Sequence, residues 1–127
     1  MEIFDEEWIA AASEALGGLS ATPGLDAVIE YTISGRPGGR VALTVTVSDG
    51  VVSEIAVGRS ADPDIAISLD YTDAVAILSG ELASEAGYMS GALKVEGDYP
   101  RWLLDLRPVR LAAIDALAPL VAQTTVQ

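Results

Sequence analysis

The stretch from Ala61 to Gly97 constrains the fold more than any other part of the chain. Ile65, Ile67 and Leu69 alternate with small or polar residues behind the acidic turn Asp62-Pro63-Asp64, which reads as a strand with one buried face. Asp70 or Thr72 caps the next helix, which carries Val75, Ile77 and Leu78 and stops at Ser79-Gly80. A brief helix from Ala83 to about Gly87 leads into Tyr88-Met89. Leu93 and Val95 then alternate with Lys94 and Glu96 in a short strand that ends at Gly97. The pattern switches from period 2 to period 3.6 and back, so strands and helices must pack on one another.

The flanking segments extend this order. Asp5 is placed to cap a helix whose first turn holds Glu6 and Glu7, where the dipole favours carboxylates. Trp8, Ile9, Ala12, Leu16 and Leu19 form its apolar stripe, and Gly17-Gly18 ends it. Ile29, Tyr31 and Ile33 alternate with Glu30 and Thr32 in a first strand. Val41, Leu43, Val45 and Val47 mark a second, and a third runs from Val51 to Val57. Gly35 to Gly39 and Ser48-Asp49-Gly50 supply the turns of an antiparallel meander. Beyond Pro100, a first-turn proline, the segment from Arg101 to about Ala122 is helical and divided by Pro108. The expected fold class is α+β: a single five-stranded, mainly antiparallel sheet with helices packed on one face. Residues 1–127 are expected to form one domain, with the tail after Gln123 frayed.

Composition removes several chemistries. The chain has no Cys and no His, so disulfides, thiolate metal sites, cysteine catalysis and a histidine-based triad are excluded. Net charge is −12, which disfavours nucleic acid and limits membrane contact to transient encounters. The N-terminus is acidic where a signal peptide is basic, no apolar run reaches a membrane span, and the C-terminus carries no peroxisomal tripeptide. A cytoplasmic protein of bacterial style is expected. Half the residues are hydrophobic, yet there is one Phe, so the apolar mass is aliphatic and suits either a filled core or a smooth pocket.

Few constellations carry chemistry. Asp62, Asp64, Asp70 and Asp73 lack the calcium-loop spacing and are accounted for by a turn and a helix N-terminus. Gly35 to Arg40 lies between strands, where a hairpin turn explains it better than a phosphate cradle. Arg101, Arg107 and Arg110 read as a solvated helix face, or else as a docking patch for anionic headgroups or a ligand carboxylate.

In element order the chain resembles the sterol carrier protein type-two, or nonspecific lipid-transfer, family. Ser79-Gly80-Glu81-Leu82 sits at the family's Gly-Lys-Leu-like turn, and Tyr88-Met89-Ser90-Gly91 at its aromatic-Met-x-Gly site. Leu93-Lys94-Val95-Glu96-Gly97 matches the following strand and Asp49-Gly50 the usual hairpin. Departures fall at Gly87, at Ala92 and at Tyr99-Pro100, and in the proline-interrupted C-terminal helix. The resemblance implies a cavity between sheet and helices that takes a hydrophobic small molecule (fatty acid, acyl-CoA or sterol-like). It implies no catalytic residues, no metal and no cofactor. The expected ligand-facing set is Leu78, Tyr88, Met89, Trp102, Leu103, Leu106, Ile114 and Leu117, all apolar residues of the layer opposite the sheet. Truncating Leu106 and Ile114 is expected to weaken binding more than truncating Leu43.

Such a pocket is expected to exceed about 300 Å³. Two competing readings share the fold: a packed structural or interaction module without ligand, and a small enzyme using Asp62 or Asp73.

Overall fold

The computed structural model describes residues 3–36 and 39–123. Pro37 and Gly38 of the first expected turn, and the expected frayed tail after Gln123, lie outside the described residues. The first helix, α1 (Glu6–Leu16), starts where the acidic cap requires, because the Asp5 carboxylate accepts the Trp8 N–H at 2.7 Å. Trp8, Ile9, Ala12 and Leu16 are its buried stripe. Three strands follow, β1 (Ala27–Ser34), β2 (Val41–Ser48) and β3 (Val51–Val57). The chain then forms β4 (Ile65–Asp70), α2 (Tyr71–Leu78), α3 (Ser84–Ser90) and β5 (Leu93–Gly97). One wide π-helical turn, Arg101–Asp105, precedes α4 (Arg107–Ala122). Its width shows in the Leu106 N–H, which donates to the Arg101 carbonyl at 2.8 Å. Pro108 sits in the first turn of α4, where its missing N–H costs nothing, so the chain divides just before it as expected.

The strands form one sheet in the order β3-β2-β1-β4-β5. The meander is antiparallel, as is β4 with β5, but β1 and β4 pair in parallel at the centre. The parallel pair arises because the chain leaves β3 at one edge and crosses to the far side of β1 before re-entering the sheet. Asp64 secures that junction. Its side chain accepts the Val28 N–H at 2.8 Å, its own N–H donates to the Val28 carbonyl at 2.9 Å, and its carbonyl accepts the Asp98 N–H at 2.9 Å. The acidic turn is thus a three-way splice between β1, β4 and β5.

Register aligns the apolar rows. Leu43, Tyr31, Ile67 and Val95 stand side by side across four strands, as do Val41, Ile33, Leu69 and Leu93. This face meets the helices, with α1 packed on β3 and α4, and α2 packed on β1, β4 and α4. The opposite face carries Glu30, buried beneath Arg59, whose Nε donates to the Glu30 carboxylate at 3.0 Å. Ile3 and Phe4 precede α1 and are also buried, and the Phe4 ring meets Trp8 and Tyr71 edge-on at 5.2 and 6.2 Å. No helix among the described residues is long and apolar enough to cross a membrane.

Candidate functional site

The inner face of the sheet and the helical layer do not close completely. A cavity of about 180 Å³ lies between them. Its floor is strand residues such as Ile29, Tyr31, Leu43, Val45 and Ile67, and its roof comes from α1, α2, the π-helical turn and α4. Its volume falls short of the expected 300 Å³. A second pocket of about 190 Å³ abuts it, bounded by Leu82, Glu85 and Leu111, and the two share Ile77, Ser84, Arg110 and Ile114.

Five of the expected ligand-facing residues, Leu78, Trp102, Leu106, Ile114 and Leu117, lie on the wall of the inner cavity. Three do not. Met89 is 82% exposed, because α3 is only two turns long and turns Gly87 inward against Leu82 and Leu93, which puts Met89 about 200° away around the helix. Tyr88 stands behind the wall, its ring 6.1 Å from Trp102. Leu103 packs on the core but off the wall, since the π-helical turn points Trp102 and Leu106 inward instead. Leu43, expected to matter less for binding than Leu106 and Ile114, is itself on the wall and is no control for binding.

The strand residues of the floor were legible as an alternating buried face but not as pocket lining. Phe4 and Trp8 also reach the cavity, and the aromatic character of the N-terminal segment was their one signal. The largest difference concerns the arginines. Arg101 pairs with Asp98 at 3.1 Å and Asp64 at 3.7 Å. Arg107 pairs with Glu85 at 3.0 Å. Arg110 is not solvated: it is 8% exposed and borders both cavities. Its guanidinium lies 4.1 Å from the centre of the Trp102 ring. Nε donates to the Trp102 carbonyl at 3.0 Å, and Nη2 to Glu85 and to the Leu103 carbonyl at 3.3 Å each. Nη1 is buried without a partner, as is the indole N–H of Trp8, while the Trp102 indole N–H has the Tyr31 hydroxyl beside it.

Burial pushes the Tyr31 hydroxyl up in pKa, and the Arg110 charge offsets part of that. Burial pulls the Arg110 guanidinium down, with Glu85 working against it. The Glu85 carboxyl is held below its ordinary range first by its own backbone N–H, then by Arg110 and Arg107, against the effect of burial. A carboxylate with a depressed folded pKa contributes stability above its unfolded pKa and loses it as pH falls through the folded value. Urea unfolding followed from neutral pH into the acid range is therefore expected to show an acid-side loss that Glu85→Gln flattens. An unchanged acid limb in the variant contradicts a stabilising role for this carboxylate.

Of the acidic residues, Asp64 bonds three segments and Asp73 lies in the first turn of α2, while Asp70 holds the N-cap position without the expected side-chain cap hydrogen bond. No group of three or more His, Cys, Asp or Glu suited to a metal occurs among the described residues.

A mixed five-stranded sheet that holds an apolar cavity under a one-sided helical layer defines the class as an α+β fold with an internal pocket. The chain belongs to the SCP-2 sterol transfer family, whose pattern it matches over residues 6–101. It is similar to the crystal structure of a sterol carrier protein 2, at 19% identity and a TM-score of 0.74, covering 92% of this chain and 98% of that one. It is also similar to the solution structure of palmitated sterol carrier protein 2 like 2 from Aedes aegypti, at 19% identity and a TM-score of 0.60, covering 81% and 88%. A third likeness is to a stereoselective inverting sec-alkylsulfatase from Pseudomonas sp., at 16% identity and a TM-score of 0.51. That match covers 71% of this chain but 13% of the larger enzyme. No curated protein sequence matches the chain significantly.

Proposed function

We propose that this chain is a non-catalytic carrier that takes up lipids or other hydrophobic small molecules in the cavity between sheet and helices and passes them on. The observation that carries this reading is the cavity itself, an apolar void lined from nearly every element of the fold. An empty void of about 180 Å³ costs on the order of 4 kcal/mol at about 24 cal/mol per Å³. That is a large share of the about 5–15 kcal/mol that stabilises a domain. Each buried ligand CH₂ returns about 0.8 kcal/mol, so a long acyl chain offers roughly 10 kcal/mol before association costs. A chain of that length overfills the inner cavity, and the adjoining pocket offers the remaining space once Ile114, on the shared wall, shifts. A fatty acid, acyl-CoA or sterol-like molecule is the class of guest this space suits. The palmitated state of the Aedes aegypti relative agrees with it. The alkylsulfatase likeness is consistent with a binding module inside a larger enzyme, since it spans a small part of that chain.

The test is thermal melting of solvent-extracted protein with and without palmitate or a sterol, together with transfer of a fluorescent lipid between vesicles. Melting is expected to rise with at least one of these ligands. Ile114→Ala, on the shared wall, is expected to change binding more than Val41→Ala, which is buried off the wall. No rise with any ligand, and no transfer, overturns the carrier reading in favour of a packed module.

A further inference from the structure

The cavity is apolar, yet among the described residues two buried hydrogen-bond donors of its lining side chains have no partner: the N–H of Trp8 and the Nη1 of Arg110. Leaving a buried donor unmade is costly, and more so for a charged group. Arg110 is also the single charged side chain among the described residues of the inner wall. Its compensation is incomplete. The Glu85 oxygen that takes its Nη2 at 3.3 Å also takes Arg107 Nε at 3.0 Å, so two guanidiniums share one carboxylate. The site keeps one positive charge over, in a chain whose net charge is −12. The cation does not turn outward to water. Trp102 stacks on it, and two main-chain carbonyls, of Trp102 and Leu103, fix its orientation.

We propose that Arg110 anchors the carboxylate of a single-chain fatty acid whose hydrocarbon occupies the inner cavity, with Nη1 as the charged donor. The inference rests on the carrier reading and narrows it. A sterol hydroxyl or a thioester carbonyl accepts a hydrogen bond but leaves the extra positive charge uncompensated. A carboxylate does both, and hydrogen bonds between ionised partners are roughly twice as strong as neutral ones. The head then sits at the wall common to both pockets, where the chain end can enter one and the carboxylate face the other.

The experiment measures binding of palmitate and of hexadecanol, which share a chain length, to solvent-extracted full-length protein at mildly alkaline pH. The wild type is expected to prefer palmitate by about tenfold or more. Arg110→Met should bring palmitate down to the level of the alcohol, and Glu85→Gln, which frees Arg110 of its competitor, should widen the preference. Equal affinity of the wild type for the two ligands overturns the anchor while leaving the carrier reading intact. Binding of neither overturns the anchor, and the carrier reading then rests on the sterol and lipid-transfer measurements. Should Arg110→Met fail to fold, the wild-type preference and its response to Glu85→Gln decide, and a preference that Glu85→Gln abolishes also overturns the anchor.

Discussion

Trp102→Ala is expected to remove about 3–5 kcal/mol of stability. Trp102 is 2% exposed and forms part of the cavity wall, so truncation enlarges a void that is already present rather than one that neighbours can collapse into. It also strips the ring from the Arg110 guanidinium 4.1 Å away and leaves Tyr88 without its aromatic neighbour. A buried cation that loses its stacking partner and gains no other is expected to place the loss at the upper end of that range. For a domain of this size the thermal midpoint should fall by roughly 10–20 °C. Saturating palmitate should recover part of the fall, because the ligand fills the enlarged space. A midpoint within a few degrees of the wild type would show that the indole is not a structural wall.

Gly97→Ala is expected to rival it through the backbone. Gly97 closes β5 at φ +88°, and a Cβ there would collide with the carbonyl oxygen of Asp64. That carbonyl cannot yield freely, since it accepts the Asp98 N–H at the β4–β5 junction. The left-handed backbone alone costs a non-glycine residue about 1–2 kcal/mol. The collision adds to this, for a total on the order of 3 kcal/mol or more. Gly91 supplies the comparison. It has nearly the same conformation, φ +84°, but open space where a Cβ would be. Gly91→Ala should therefore cost only the conformational part, about 1–2 kcal/mol. Equilibrium urea unfolding of both variants measures the difference, and equal losses would show that the Asp64 contact does not matter.

These two positions show how differently parts of the protein were written into the chain. Gly97 was readable as the end of a strand, and β5 does end there. That it opposes the Asp64 carbonyl was not readable, because the contact spans a splice between strands distant in sequence. Alternation at Ile29, Tyr31 and Ile33 marked an inward face, and the register confirms which partners each meets. Alternation does not say whether a facing residue touches a neighbour or a void. The helical side was harder still. In a short helix such as α3, one residue of rotation moves a side chain by about 100°, and packing of Gly87 against Leu93 set the rotation that exposes Met89.

The amino-acid sequence by itself determined the order of elements, the inward face of each strand, the positions of the turns and the absence of thiol and imidazole chemistry. These depend on neighbours in the chain and on residue type. The tertiary structure alone decided the parallel pairing of β1 with β4, the size of the void and the burial of Arg110. Each of these brings together residues far apart along the chain, such as Trp8, Tyr31, Trp102 and Arg110, and local periodicity carries no information about the distance between them. An arginine on a helix reads as solvated until another element, here the turn carrying Trp102, closes over it.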